Sequence, residues 1–141
     1  MRAGLALIEL LFVVVLLGLL ALVAVPRLAG VADAAAVRDE AMRVVAALDA
    51  ARGASIRLGT VATLTISDTS YRVTAIVGPD TLTPWRQPGP GPAGVVLGGA
   101  GQPVRFGPAG VAVGASNRTI TLTKGQATRN VVVSRLGRIS Y

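Results

Sequence analysis

The sequence predicts an α+β fold in which a long N-terminal helix, first transmembrane and then amphipathic, packs on a C-terminal antiparallel β-sheet domain. Three observations predict it. An apolar run of 21 residues from Leu5 to Val25 contains a single charge, and in the stretch after it apolar residues recur every three or four positions. From position 59 onward, short runs alternate apolar with β-branched polar residues. The 141 residues therefore divide into segments 1–4, 5–26, 27–58 and 59–141.

The apolar run is long enough to cross a bilayer, since 21 residues make a helix of about 31 Å at about 1.5 Å per residue. Arg2 supplies the positive charge that keeps the N-terminus in the cytoplasm. A cleaved secretory signal, with small residues at 30–34 for cleavage, and a plain membrane anchor both fit this run. Neither accounts for Glu9, because a carboxylate inside a bilayer is costly and needs a partner.

A short leader ends in Gly4, and Glu9 is the fifth residue after that glycine. With the uncharged stretch that follows and Pro26 at its end, this order resembles the prepilin signal of type IV pilins and type II secretion pseudopilins. The resemblance implies that a prepilin peptidase cuts between Gly4 and Leu5 and that Leu5 is N-methylated. It also implies that Glu9 pairs with the terminal ammonium of a neighbouring subunit during assembly. Electrostatics agrees, since a buried charge is strongly destabilising unless an opposite charge neutralises it.

Segment 27–58 continues as an amphipathic helix that ends near Ile56. One face of it is apolar at steps of three and four, through Val37, Ala41, Val44, Leu48 and Ala51. We expect this face to pack under a sheet.

The β region begins with two strand-like runs, Thr60–Ser67 and Tyr71–Val77, which a short polar turn joins into a hairpin. Gly and Pro crowd Pro84–Gly114, which predicts an irregular exposed loop with short strands at 94–97, 104–106 and 111–113. Clear strands return at Arg118–Gly125 and Val131–Val133, and a turn at 136–137 precedes a last short strand.

Composition argues against catalysis and metal binding. The chain has no His, which is the commonest general base and metal ligand, and no Cys, which supplies thiolates. Asp68 and Asp80 are the only acids after Asp49, too few for a calcium site. We expect no catalytic residue, no metal and no cofactor.

Charge is uneven along the chain, whose net charge is +7, because seven basic residues and no acid follow Asp80. Such a tail attracts nucleic acid, anionic lipid or an acidic protein. A general preference for arginine, in which the charge serves solubility, explains the same composition. Four of its side chains are expected to gather on one face of adjacent strands and to contact phosphates: Lys124, Arg129, Arg135 and Arg138.

Residues 104–141 contain the stretch Phe106–Gly110, the strand at 120–122, the run at 131–134 and Gly137-Arg138. These resemble the GspH/FimT-type minor pseudopilins. The resemblance implies a structural subunit of a type II secretion pseudopilus or a type IV pilus. It implies as an alternative a FimT-like pilin that binds DNA during natural uptake through a C-terminal Gly-Arg-x-Arg, whose second arginine is Ser140 here.

The resemblance also implies partners and location. The partners are other pilin or pseudopilin subunits, prepilin peptidase and the inner membrane, with DNA in the alternative. The chain would cross the bacterial inner membrane once and hold its C-terminal domain in the periplasm. A membrane-anchored β domain with no role in assembly is a third possibility.

Overall fold

The computed structural model describes residues 2–99, 101–114 and 117–141, and the side chains of these residues except those of 2–6, 25 and 26. Helix α1 spans Arg2–Leu58, two residues beyond the predicted end. Nine strands follow within the described ranges: β1 (Ala62–Ile66), β2 (Ser70–Val77), β3 (Asp80–Pro88), β4 (Val96–Gly98), β5 (Val104–Phe106), β6 (Ala112–Val113), β7 (Arg118–Lys124), β8 (Ala127–Val133) and β9 (Ile139–Ser140). The predicted order, a long helix and then antiparallel strands, is confirmed.

The chain forms two compact units, one that ends at Ala32 and one that covers Asp33–Tyr141. In the first unit the large apolar side chains that the structure describes are exposed, Phe12 by 70% and Leu22 by 76%. This part of α1 is long and apolar enough to cross a bilayer. Exposure of this extent in water would be costly, so the unit needs lipid or another apolar surface around it.

The second unit has one hydrophobic core, to which α1 and two antiparallel sheets contribute. The five-stranded sheet has the order β3-β2-β1-β5-β6, and the four-stranded sheet has the order β4-β7-β8-β9. The helix contributes a fully buried stripe of small and branched residues: Val37, Ala41, Val44, Ala47, Leu48, Ala51 and Ala54. Together with apolar side chains of both sheets, this stripe forms the core.

Strands β1 and β2 form the predicted hairpin, with Leu64 opposite Val73 and Ile66 opposite Tyr71. Buried and more exposed residues alternate along both strands, as period-2 patterning requires. One face of the sheet therefore meets the core, and the other face lies outside.

The prediction of an irregular loop over Pro84–Gly114 is wrong at its start, because β3 continues to Pro88. Strand β3 is an edge strand, so one side of its backbone needs no partner. The register shifts between Val73 opposite Trp85 and Ala75 opposite Leu82, and Pro84 lies at this bulge. Edges and bulges are the places where a sheet tolerates proline.

The C-terminal strands follow the prediction. Strand β7 pairs with β8 over its whole length, and β8 pairs with the short β9 at Val133 and Ile139. Gly137 forms the turn before β9 with a φ of 77°. Its Cα lies so close to the backbone carbonyl of Gly110 that a Cβ would collide with that oxygen.

Candidate functional site

The predicted assembly segment lies at the start of α1. Gly4 and Leu5 belong to the helix, and the side chain of Leu5 is outside the described part of the structure. Glu9 is exposed. Helix geometry places Phe12 and Val13 beside it, both exposed and apolar.

Glu9 has no basic side chain within one helical turn. Along the chain, the nearest basic residues are Arg2 in the leader, 7 positions before Glu9, and Arg27, 18 positions after it. These separations correspond to about 10 Å and about 27 Å along a helix. Within the described part of the chain, ion pairs join Arg43 to Glu40 and Lys124 to Asp33, and neither reaches Glu9. A cation for this carboxylate would therefore come from outside the segment that carries it.

Lys124 is held by the second unit itself. Its Nζ lies 3.7 Å from Asp33 Oδ1 and donates a hydrogen bond of 2.8 Å to the carbonyl of Ala93. The lysine thus joins the end of β7 to α1 and to the 3₁₀ helix at Gly91–Ala93. An anion would have to compete with Asp33 for it.

The other three basic residues of the predicted surface are exposed. Arg129 lies on β8 opposite Leu122. Arg135 and Arg138 share the turn between β8 and β9, where Ser134 N donates to the Arg138 carbonyl at 2.9 Å.

The structure brings Arg135 and Arg138 together and separates them from Lys124. Lys124 pairs with Ala127 at one end of β8, and the turn follows Val133 at the other end. Six residues of strand at about 3.3 Å each separate these ends by about 20 Å. The four side chains therefore do not form one compact cluster.

A buried polar pair in the core escaped the sequence analysis. Glu40 is 1% exposed, and Tyr71 Oη donates a hydrogen bond of 2.6 Å to its Oε1. Arg43 Nε lies 3.9 Å from the other carboxylate oxygen. Burial, and then the hydrogen bond to Glu40, raise the pKa of Tyr71 above its ordinary value. One feature of the sequence does indicate this pair: Glu40, an acid, lies three positions after Val37 and therefore on the apolar face of the helix.

The described residues contain no group of three or more acidic, His or Cys side chains that could hold a metal ion. A buried polar atom of another kind is present: Arg52 Nε has no hydrogen-bond partner among the described residues. It lies beneath the turns that contain Gly110 and Gly137.

Comparison with known proteins found a family and a fold. The model of the family described as the type II transport protein GspH matches residues 40–137. A crystal structure of the type IV minor pilin FimU from Pseudomonas aeruginosa (strain PAO1) is similar with a TM-score of 0.61 and 16% identity, and the match covers 74% of this chain and 86% of FimU. A second crystal form of FimU is similar with a TM-score of 0.57 and 15% identity, and that match covers 73% of this chain and 90% of FimU. At these identities the likeness to FimU shows the fold alone. No curated protein matches the chain.

Proposed function

The chain belongs to the GspH family of type II transport proteins, and from this premise we propose that it is a minor pseudopilin. It acts as a structural, non-catalytic subunit of a type II secretion pseudopilus or a type IV pilus. The observation that carries the proposal is Glu9, a lone carboxylate on an exposed apolar helix with no cation within one turn. A lone anchor has no use for such a group, whereas a subunit that docks against its neighbours has one.

Maturation follows from the same segment. Prepilin peptidase cuts after Gly4, and Leu5 becomes the methylated N-terminus. The new terminal ammonium of one subunit then meets Glu9 of the next. Burying a carboxylate in a bilayer alone costs about 3 kcal/mol, and pairing it with an ammonium offsets that cost. Docked subunits are therefore favoured over isolated ones.

The location follows from the order of charges. Arg2 lies before the apolar run and stays on the cytoplasmic side. The chain crosses the inner membrane once and holds unit Asp33–Tyr141 in the periplasm. Its partners are other pilin or pseudopilin subunits and prepilin peptidase.

Glu9→Val tests the proposal in cells that assemble the filament. We expect the variant to reach the membrane normally and to fall at least about tenfold in the sheared filament fraction, because an unpaired terminal ammonium then remains. Asp39→Asn is the matched control, since it removes an exposed carboxylate farther along the same helix. Equal filament levels for Glu9→Val and wild type would contradict the proposal.

Mass spectrometry of the mature N-terminus tests the processing separately. Methylated Leu5 as the first residue supports cleavage by prepilin peptidase. A chain that begins at Asp33 would show removal of the whole apolar segment, and with it an ordinary secretory signal.

A second candidate function is FimT-like DNA binding. It is favoured by Arg135 and Arg138, which lie together in one exposed turn. A mobility-shift assay with the detergent-solubilised chain tests it, because phosphate contacts weaken steeply as salt rises. Arg135→Ala/Arg138→Ala should abolish the shift, and Arg72→Ala/Arg86→Ala should retain it. The absence of any shift at low salt would exclude this candidate.

A further inference from the structure

Three exposed arginines share the outer face of the five-stranded sheet, far in sequence from the assembly segment. They are Arg72 on β2, Arg86 on β3 and Arg105 on β5. Their strand neighbours, such as Val73 and Phe106, are buried in the core. Because side chains alternate along a strand, the three arginines point away from the core. We call this surface the arginine face.

Two of these cations stand directly opposite each other. Arg72 pairs in register with Arg86 on one side and with Thr65 on the other. Directly opposite residues have Cβ atoms about 5 Å apart, and like charges in this position destabilise a sheet. In the described ranges no ion pair reaches the arginine face. Its outward-facing positions carry no acid in the described strands. Among the described residues, therefore, no ion pair offsets the repulsion between Arg72 and Arg86.

Apolar and hydroxyl groups accompany the arginines. Ile76 is 64% exposed and Val113 is 43% exposed on the same face. A groove of about 400 Å³ runs past Ile76, Thr74 and Arg105. A second depression of about 370 Å³ lies beside Arg86, with Ser70 and Gln87 in its wall.

This mixture identifies the class of partner. Arginine next to exposed aliphatic side chains is typical of protein interfaces, in which arginine is enriched and lysine depleted. Surfaces that bind nucleic acid are more polar and more uniformly basic. The arginine face contains no lysine in the described strands. Its composition therefore favours a protein over a phosphate backbone.

We propose that the arginine face docks an acidic partner protein. A carboxylate of the partner lies between the guanidinium groups of Arg72 and Arg86, and an apolar centre covers Ile76. Arginine binds carboxylates through two parallel hydrogen bonds, so one acid between two arginines replaces repulsion with attraction. The contact uses the five-stranded sheet and not α1, so it is independent of the pairing proposed for Glu9.

A peptide probe tests the proposal on the full chain in detergent micelles. The probe is a fluorescein-labelled peptide of about ten residues that alternates glutamate with valine, and its binding is followed by fluorescence anisotropy. We expect Arg72→Gln/Arg86→Gln/Arg105→Gln to weaken binding by roughly tenfold or more, since arginines at the centre of interfaces dominate affinity. The matched control removes the same charge from the other sheet and its turn: Arg129→Gln/Arg135→Gln/Arg138→Gln.

Several outcomes would overturn the proposal. Equal loss of affinity in the control triple variant, or equal binding of a glutamine–valine peptide, would show an effect of net charge alone. Binding of a DNA duplex to this face in place of the peptide would assign it to nucleic acid. Filament assembly by the Arg72/Arg86/Arg105 variant is scored separately from that of Glu9→Val, so failure of one proposal does not imply failure of the other.

Stability gives an independent measurement. Arg86→Gln removes one of the two opposed cations, so we expect the melting temperature of the full chain to stay level or rise while peptide affinity falls. A lower melting temperature would show that Arg86 stabilises the isolated fold, and the argument from like charges would be wrong.

Discussion

Tyr71→Phe removes one oxygen atom from the core and takes from Glu40 its hydrogen bond of 2.6 Å. Glu40 then stays buried. Its remaining charged neighbour is Arg43, whose Nε lies 3.9 Å away and whose side chain is half exposed to water. A hydrogen bond to a carboxylate contributes about 1.5–3 kcal/mol, and a buried acceptor left without its donor shows the full cost. The variant should therefore lose most of that amount in the free energy of unfolding.

The size of the effect follows from the size of the unit. Asp33–Tyr141 contains 109 residues, and unfolding entropy is about 2.1 cal/mol/K per residue. A loss of about 1.5–3 kcal/mol then lowers the melting temperature by about 7–13 °C. Trp85, which packs partly buried against the core, reports the transition by fluorescence.

The double variant Glu40→Leu/Tyr71→Phe is the informative companion. Replacing both partners with apolar groups of similar size leaves no unsatisfied group, so its stability should return towards wild type. An unchanged melting temperature for Tyr71→Phe would refute the argument. A double variant less stable than Tyr71→Phe would show that the loss of stability does not come from the unpaired carboxylate.

The remaining predictions concern the same unit. The pKa of Tyr71 is raised in the fold, so the stabilisation that Tyr71 contributes is fully present below the ordinary tyrosine pKa of about 10 and falls as pH rises above it. Thermal melts from pH 8 to 11 should show this decline in stability. The decline should be smaller in Tyr71→Phe. Gly137→Ala should lower the free energy of unfolding by about 2 kcal/mol or more, because its φ is 77° and the new Cβ would collide with the Gly110 carbonyl. Gly101→Ala is the control: its new Cβ meets nothing within 4 Å, so the melting temperature should change little. Lys124→Met removes a partly exposed ion pair and one hydrogen bond, so the free energy of unfolding in urea should fall by about 1 kcal/mol. Arg129→Met on the neighbouring strand should lower it much less.

The missed strand shows where local patterns mislead. Pro84 and Pro88 indicate a loop when only neighbouring residues are considered. Strand β3 forms all the same, because it is an edge strand, in which Pro84 lies at the bulge and Pro88 at the last position. Edges and bulges are where a sheet tolerates proline. Whether a segment is an edge is a property of the whole sheet and cannot be deduced from the segment itself.

The candidate sites also differ in how much of each can be predicted from the sequence alone. Gly4, Leu5 and Glu9 come from the sequence alone and stay predictions, since their roles depend on an enzyme and on a neighbouring subunit. The basic surface was predicted from composition, and the sheet register placed Lys124 about 20 Å from the Arg135–Arg138 turn. Composition counts charges but does not place them.

The sequence by itself determined the long helix, its apolar first part, the lone carboxylate and the alternating strands, because each depends on periodicity between near neighbours. Only the tertiary structure decided which strands pair and which edges stay open. It also decided that Arg72 faces Arg86 and that Tyr71 reaches Glu40 across 31 positions of chain. These contacts depend on how distant segments pack around one core, and many different sequences carry the same local pattern.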